Sequence, residues 1–135
     1  MQAVYYRDSD GNEPVLDFLD TLPDRKRVVI DNQLERLNTL EPNEPPLPEP
    51  WTSQIEGELR EFRAHYGEEH YRVLCRRSGN LFILLHAIRK TTRTVPRGDV
   101  VLAQARWPIS GGAWTRPGAS THARPVTTHP ELVRR

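Results

Sequence analysis

Residues 81–88 read Leu-Phe-Ile-Leu-Leu-His-Ala-Ile, a run that is apolar on both faces of an extended chain. A short apolar run behind the turn signal Arg77-Ser78-Gly79-Asn80 is typical of a buried central strand. Two further strand-like runs precede it, Glu58 to His65 and His70 to Arg77, with Tyr66-Gly67-Glu68-Glu69 as the turn between them. Because these connections are so short, the three strands must pair as antiparallel hairpins.

A further strand and two helices are predicted upstream of the hairpins. Ala3 to Arg7 is a β-branched and aromatic run that predicts a first strand. Pro14 stands in the first turn of a short amphipathic helix that Pro23 ends, and a second amphipathic helix follows from Asp24 to Leu40. The five prolines of residues 41–50 exclude a helix or a central strand there and indicate a stiff connector.

The last part of the chain changes in character after one more helix. Pro96 opens a helix that is expected to end ahead of Trp107-Pro108. Residues 108–135 are rich in Pro, Gly, Ser and Thr without an apolar period, which predicts a flexible tail behind a domain of residues 1–107. The predicted fold class is α+β in the order β-α-α-β-β-β-α. A curved antiparallel sheet would carry the helical hairpin on one face and the last helix at an edge.

The formal net charge is +1, but the charged residues are distributed unevenly along the chain. Residues 1–56 carry 12 acids and 5 bases, a net charge of −7, whereas residues 57–135 carry 6 acids and 14 bases, a net charge of +8. A one-sided basic balance suits a polyanionic partner. Eight of the bases fall within 34 residues, on the three predicted hairpin strands and their exit loop: Arg60, Arg63, Arg72, Arg76, Arg77, Arg89, Lys90 and Arg93.

Several kinds of site and location are disfavoured. The single cysteine, Cys75, excludes an internal disulfide and a multi-thiolate metal site, and its apolar strand position indicates the core. No apolar run approaches the roughly 18 residues of a membrane span, and the first residues do not read as a signal peptide. We therefore expect a cytoplasmic protein that contacts no membrane. Because glycine-rich phosphate loops and metal-ligand spacings are missing, we expect no cofactor and no metal.

Strand alternation groups some of the charged side chains on shared faces. Arg63 falls on the face of Glu61, and Arg72 on the face of Arg76. An arginine in a half-buried strand is costly to desolvate unless it meets a carboxylate or a phosphate, so Glu61 is expected to orient an arginine. The alternative interpretation is a solvated charged face without a site.

His86 interrupts the apolar run of residues 81–88. It either packs in the core or, together with Lys90 at the strand end, transfers protons. Depending on the turn, Leu85 or Ala87 would lie opposite Arg72, and the sequence does not decide which. Further candidate proton carriers are Tyr71, His65 and His70.

Four stretches together resemble one family: Gly57-Glu58-Leu59-Arg60-Glu61-Phe62-Arg63, residues 71–74, residues 84–91, and Val95-Pro96 with Ala103 and Arg106. Upstream, Tyr5, Gly11, Pro14-Val15 and Phe18-Leu19 also resemble its N-terminal pattern. Over residues 3–107 the chain resembles the phage-derived, HigB-like branch of the RelE/ParE toxin superfamily. Ala87-Ile88 and Arg89-Lys90 stand where that branch usually has Gly-Phe and two lysines. The resemblance implies the toxin of a type II toxin–antitoxin module, a ribosome-dependent mRNA endoribonuclease that inhibits translation.

The resemblance also implies partners and residue roles. A cognate antitoxin, expected to be of helix-turn-helix type, would silence the toxin and provide its only link to operator DNA. On the ribosome, Arg63 and Arg72 would clamp the scissile phosphate of mRNA, and His86 or Lys90 would transfer the proton. The remaining cations would hold flanking phosphates or ribosomal RNA: Arg60, Arg76, Arg77, Arg89 and Arg93.

Two alternatives stay open within the superfamily. One is a ParE-like inhibitor of DNA gyrase without nuclease activity, and the other is a degenerate toxin kept as a DNA-binding co-repressor with its antitoxin. A shared fold does not decide among these activities. The density of strand arginines together with His86 favours the ribonuclease.

Overall fold

The computed structural model of the protein describes residues 2–40, 52–90, 94–111 and 123–125. Its strands are β1 (Gln2–Tyr6), β2 (Thr52–Glu56), β3 (Leu59–Tyr66), β4 (Glu69–Ser78), β5 (Leu81–Lys90) and β6 (Ala123–Pro125). Its helices are α1 (Pro14–Asp20), α2 (Asp24–Thr39) and α3 (Arg97–Gly111). The α+β class and the three predicted hairpin strands are confirmed, whereas β2 and β6 were not predicted.

Three two-residue loops set the register of the hairpins. The pairs β2–β3, β3–β4 and β4–β5 are antiparallel. Each connecting loop begins with a glycine at positive φ: Gly57 at 57°, Gly67 at 60° and Gly79 at 59°. A type II′ hairpin turn requires glycine in this conformation at its first central position. Because Ser78 pairs with Leu81, the last loop consists of Gly79 and Asn80.

The sheet is mixed, because β1 pairs with β5 in parallel. The strand order is β2-β3-β4-β5-β1-β6, and Val4 of β1 lies opposite Ile83 of β5. The prediction of a wholly antiparallel sheet is therefore wrong at this pair. Both strands are mostly buried and receive helices on both faces, which is the usual environment of parallel strands.

The helical hairpin α1–α2 covers one face of the sheet, called the hairpin face below. Val15 and Leu19 of α1 and Ile30 of α2 are completely buried and pack with strand residues such as Phe62. The backbone N–H of Ala3 donates a hydrogen bond of 2.8 Å to Oδ1 of Asn38, which ties α2 to β1. The predicted helical hairpin on one face is thus present.

Helix α3 packs on part of the opposite face, called the α3 face below. Val100 and Ala103 are buried there against Leu59, Leu74 and Leu85. The prediction that the last helix lies at a sheet edge is therefore wrong. The central strands are apolar on both sides, so the second side also needs a helix to remove it from water.

The end of the chain differs from its predicted outline. Helix α3 continues past Trp107 to Gly111, and Ala123–Pro125 pair with β1 as β6. The rest of the predicted tail and the Pro-rich connector at residues 41–50 lie outside the described residues, and the division after residue 107 stays a prediction. Within the described part of the chain, no helix has the length and apolar character needed to cross a membrane.

Candidate functional site

A β-bulge in β5 decides which face His86 occupies. Up to the pair Cys75–Leu84 the β4–β5 register is regular, but Leu74 then lies opposite His86, so Leu85 is an extra residue. Leu84 belongs to the core on the hairpin face, and regular alternation would turn His86 toward that core as well. The bulge instead turns His86 to the α3 face, as bulges beside functional sites often do for a side chain.

The same bulge changes the residue that lies opposite Arg72. The sequence offered Leu85 or Ala87, whereas the structure pairs Arg72 with Ile88. His86 and Arg72 are consequently diagonal neighbours on the α3 face, a relation in which Cα atoms are about 7–8 Å apart. The structure therefore brings two of the predicted catalytic residues together on one face.

Glu61 is the centre of a charged cluster on this face. Its Oε1 accepts hydrogen bonds from Nε of Arg63 at 2.8 Å and from Nη1 of Arg72 at 2.9 Å. The hydroxyl of Ser53 on β2 donates to the same oxygen at 3.0 Å and accepts from Nη2 of Arg63 at 3.1 Å. The expectation that Glu61 orients an arginine is confirmed, since it holds both Arg63 and Arg72.

The cluster keeps one positive charge in excess, because two guanidinium groups share one carboxylate. Arg72 is 7% exposed and Glu61 is 3% exposed, so the charges are largely removed from water. Nε of Arg72 and Oε2 of Glu61 are buried and make no hydrogen bond among the described residues. An oxyanion at the half-exposed Arg63 would receive charge-assisted hydrogen bonds, which makes the cluster suited to phosphate.

His86 is held by two groups of α3. Its Nε2 lies 2.7 Å from Oδ1 of Asp99, and its Nδ1 lies 3.4 Å from Nη1 of Arg106. The same nitrogen of Arg106 also donates a hydrogen bond of 2.6 Å to the carbonyl oxygen of Leu85, so α3 is bonded directly to the bulged residue. Because Nε2 faces a carboxylate, we assign the ring proton to Nε2, which leaves Nδ1 as the acceptor nitrogen.

Arg106 also joins α3 to β1. Its guanidinium carbon lies 5.6 Å from the ring centroid of Tyr6, within the range of a cation–π contact. Burial lowers the pKa of Arg106 from its ordinary value, although the Tyr6 and Asp8 side chains oppose the shift. Burial likewise raises the pKa of Tyr6 above its ordinary value. These contacts fix the helix beside the site.

The other predicted cations do not share one surface. Arg76 lies on the α3 face and forms an ion pair with Glu58 at 2.6 Å. The other described arginines of the predicted RNA-binding set lie on the opposite, hairpin face. They pair with Cys75, Phe82 and Tyr71 and are Arg60, Arg77 and Arg89. Alternation along the strands therefore divides these cations between two faces, and their contacts with flanking phosphates or ribosomal RNA stay predictions.

Two predicted residues are only partly described or not described. Lys90 pairs with His70 at the end of β5, and nothing is described of its side chain. Arg93 lies outside the described residues. The structure thus places Arg63, Arg72 and His86 on one face, and the catalytic or RNA-binding roles of these residues, of Lys90 and of Arg93 stay predictions.

The comparisons with known proteins concern most of the region just described. The sequence profile of the family described as "Phage derived protein Gp49-like (DUF891)" matches residues 17–108, which is more than half of the chain. The chain belongs to the Gp49-like family. This family is part of the RelE/ParE-like toxin superfamily, and its members are commonly toxins of toxin–antitoxin systems. No curated protein matches the chain.

Some candidate residues do not belong to the cluster on the α3 face. The hydroxyl of Tyr71 donates to Oε2 of Glu69 at 2.6 Å on the hairpin face, and burial with this contact raises the pKa of Tyr71 to about 12. Tyr71 is therefore removed from the set of proton carriers. Burial raises the pKa of Cys75 to about 12, in agreement with a core thiol. No group of three or more potential metal ligands occurs within the described ranges.

Three residues that contact the charged cluster or His86 were not predicted from the sequence as parts of the site. Asp99 and Arg106 belong to a helix that was expected at the sheet edge, and Ser53 belongs to a strand that was not predicted. The spacing of Asp99 and Arg106, seven residues apart, places both on one side of a helix, and Arg106 is also part of the family resemblance. Contacts with β5 could not be read from that spacing.

Proposed function

We propose that the protein is the toxin of a type II toxin–antitoxin system, of the HigB-like branch, and cleaves mRNA on the ribosome. The observation that carries this proposal is the position of His86, turned by the bulge to the face that holds the Arg63–Glu61–Arg72 cluster. One face thus offers both a proton-transfer group and excess positive charge. These are two of the three requirements for cleaving RNA through its own 2′-hydroxyl group, and the third is an acid for the departing 5′-oxygen.

The phosphate would bind at the arginines. In the reaction the 2′-oxygen attacks the adjacent phosphorus, a phosphorane with added negative charge forms, and the bond to the 5′-oxygen breaks. Arg63, which is half-exposed, would contact a non-bridging oxygen of the phosphate. Arg72, which is more deeply buried in the sheet, would stabilise the negative charge that develops there. Glu61 fixes both guanidinium groups before substrate arrives, so that little reorganisation is needed when the charge develops.

Protons would move through His86 and a second group. Nδ1 of His86 would accept the proton of the attacking 2′-hydroxyl once that hydroxyl replaces the long 3.4 Å contact from Nη1 of Arg106. Asp99 accepts the Nε2–H bond and would stabilise the imidazolium that forms. Lys90, at the end of the same strand, is proposed as the donor to the departing 5′-oxygen. The pairing of His86 with Asp99 is the arrangement that orients a histidine base in many enzymes.

The partners follow from this activity. A helix-turn-helix antitoxin would neutralise the toxin and connect it to operator DNA, and the toxin itself would act in the cytoplasm. The unequal charge of the chain supports this, since residues 57–135 carry a net charge of +8 and would attract both RNA and an acidic antitoxin segment.

Mapping of mRNA 5′ ends after induction of the toxin tests the proposal. The wild-type protein should stop growth and produce new 5′ ends within translated mRNA. His86→Ala should reduce cleavage by about 10²–10⁴-fold, the range for loss of a general base. Glu56→Gln, which changes an exposed carboxylate near α3, is the matched control and should cleave like the wild type.

One result would favour the gyrase alternative. If growth stops while mRNA stays intact and DNA breaks accumulate, the nuclease proposal is wrong. Unchanged cleavage by His86→Ala, with the protein shown to be folded, would contradict the assignment of His86 while leaving the nuclease activity in place.

A further inference from the structure

Two histidine side chains face each other at the end of the β3–β4 hairpin. His65 and His70 are a directly opposed cross-strand pair, and both side chains are exposed. Their ring centroids are 6.0 Å apart and the ring planes are inclined by 38°. This distance is within the range of paired aromatic rings, so the two imidazoles are neighbours that expose their rings side by side.

The pair lies on the same face as the arginine cluster. His65 follows Arg63 by two residues on β3, and His70 precedes Arg72 by two residues on β4, so alternation puts all four on the α3 face. Two residues along a strand correspond to about 7 Å. The imidazoles are therefore one step farther from the bulge than the proposed phosphate-binding arginines.

An arginine cluster binds phosphate and does not distinguish one base from another. Sequence-tolerant or sequence-selective binding of unpaired RNA also uses aromatic rings on which bases stack, and histidine is one of these. Exposed Tyr66 is adjacent in sequence, but it lies near Tyr71 on the hairpin face. Among the residues that the structure describes, the His65–His70 pair is thus the exposed ring surface beside the arginines.

We propose that His65 and His70 form a stacking platform for the unpaired nucleobase next to the scissile phosphate. This inference rests on the proposed function, because it assigns to the same site the part of the RNA substrate that the arginines do not contact. The strand pairing holds the two rings in place before RNA arrives. A base that stacks on the two imidazoles would fix the position of the nucleotide whose phosphate Arg63 and Arg72 hold.

The test measures binding of a short single-stranded RNA whose 2′-hydroxyls are methylated, so that the full-length protein cannot cleave it. Fluorescence anisotropy is recorded for this RNA and for a set in which one nucleotide at a time is abasic. With wild-type protein, one abasic position should weaken binding by about tenfold, as expected for the loss of one stacked base. The double variant His65→Ala/His70→Ala should bind the intact RNA about tenfold more weakly and should no longer respond to that abasic position.

Two further variants separate stacking from other roles. His65→Phe/His70→Phe keeps flat rings without ring nitrogens and should restore both the affinity and the abasic response. Tyr66→Ala removes an exposed ring from the same hairpin on the other face and should bind like the wild type. All measurements are repeated with EDTA, which should leave the results unchanged.

Three results would overturn the inference. They are a flat abasic scan with wild-type protein, an abasic response that persists in the double alanine variant, and an affinity that disappears with EDTA, which would indicate a metal-binding histidine pair. The proposed function is judged separately by cleavage in cells. If mRNA is cleaved while the abasic scan is flat, only the stacking platform is wrong, and if the wild-type protein neither cleaves nor binds RNA, both proposals fail.

Discussion

The two faces of the sheet differ in the charged residues that the strands themselves bury. On the hairpin side the buried carboxylate, Asp31, belongs to helix α2 and pairs with Arg27 at 3.7 Å. On the hairpin face, α1 and α2 pack apolar residues such as Leu19 and Ile30 on the strands, and the ion pair of Lys26 with Glu69 lies at the rim. On the α3 face, the buried set includes the charged Glu61 and Arg72, and the adjoining strand is bulged. The contrast indicates that the hairpin face supplies stability, which allows the α3 face to hold charges that are costly to bury.

Among the changes that compare the two faces, loss of Arg72 should have the largest combined effect on cleavage and stability. Arg72→Ala removes the cation that lies against Glu61, and cleavage should fall by about 10²–10³-fold, as for loss of one group that stabilises an oxyanion. The free energy of unfolding should fall by about 1–3 kcal/mol, because Glu61 loses one buried charged hydrogen bond but keeps those from Arg63 and Ser53. Urea denaturation and a cleavage assay per folded molecule measure the two effects.

A double variant separates these two consequences of losing Arg72. Arg72→Met combined with Glu61→Leu replaces the buried pair by apolar side chains and should recover much of the stability without recovering cleavage. Recovery of cleavage in this variant would contradict a role for Arg72 in catalysis.

Truncation of Ile30 should have the opposite profile. Ile30 is completely buried on the hairpin face, so Ile30→Ala should lower the free energy of unfolding by about 2–5 kcal/mol. Cleavage per folded molecule should not change, because Ile30 is on the face away from the site. Val101→Ala, at an α3 position that is 52% exposed, is the control and should stay within about 0.5 kcal/mol of the wild type. A loss of cleavage per folded molecule in Ile30→Ala would contradict the assignment of catalysis to the α3 face alone.

Neutralising Asp99 should have a smaller effect on catalysis. Asp99→Asn keeps the shape of the side chain that contacts His86 but removes the charge that stabilises a protonated ring. Cleavage should fall by about 10–100-fold, less than for loss of His86 itself. The decrease should be in kcat with KM unchanged, since Asp99 is not proposed to contact RNA. A decrease confined to KM would instead make Asp99 part of RNA binding.

The smallest expected effect is a pH dependence at the rim of the hairpin face. Hydrogen bonds from Tyr71 and Lys26 hold the pKa of Glu69 below its usual range. Glu69 therefore adds stability above its ordinary pKa, and this contribution is lost as the pH falls through the lowered value in the folded state. Urea denaturation at pH 7, 5 and 3.5 should show a steeper loss of stability for the wild type than for Glu69→Gln. Equal slopes would contradict this.

Strand alternation predicted the part of the site that depends on one strand at a time. Glu61 and Arg63 share a face because they are two residues apart, and this needs no knowledge of how the strands pair. Turn glycines such as Gly79 likewise predicted the hairpins, because a two-residue loop has few conformations. These local rules account for the correct placement of the charged cluster.

The parts that could not be predicted depend on contacts between distant segments. The bulge at Leu85 carries no glycine or proline that would mark it, and it alone determines that His86 meets Asp99. Strand β2 is short and polar, so its alternation is weak, although it supplies Ser53. The parallel pairing of β1 with β5 joins residues that lie about 80 apart in the sequence, and it is fixed by burial of both faces.

One comparison of variants tests the division of the faces most directly. Arg60 and Arg63 are three residues apart on β3, have similar intermediate exposure, and lie on opposite faces of the sheet. Each is changed to alanine, the protein is induced in cells, and new mRNA 5′ ends are counted. If the α3 face is the active face, Arg63→Ala should lose most of the mRNA cleavage and Arg60→Ala should retain it. Loss of cleavage in Arg60→Ala with retention in Arg63→Ala would contradict that assignment.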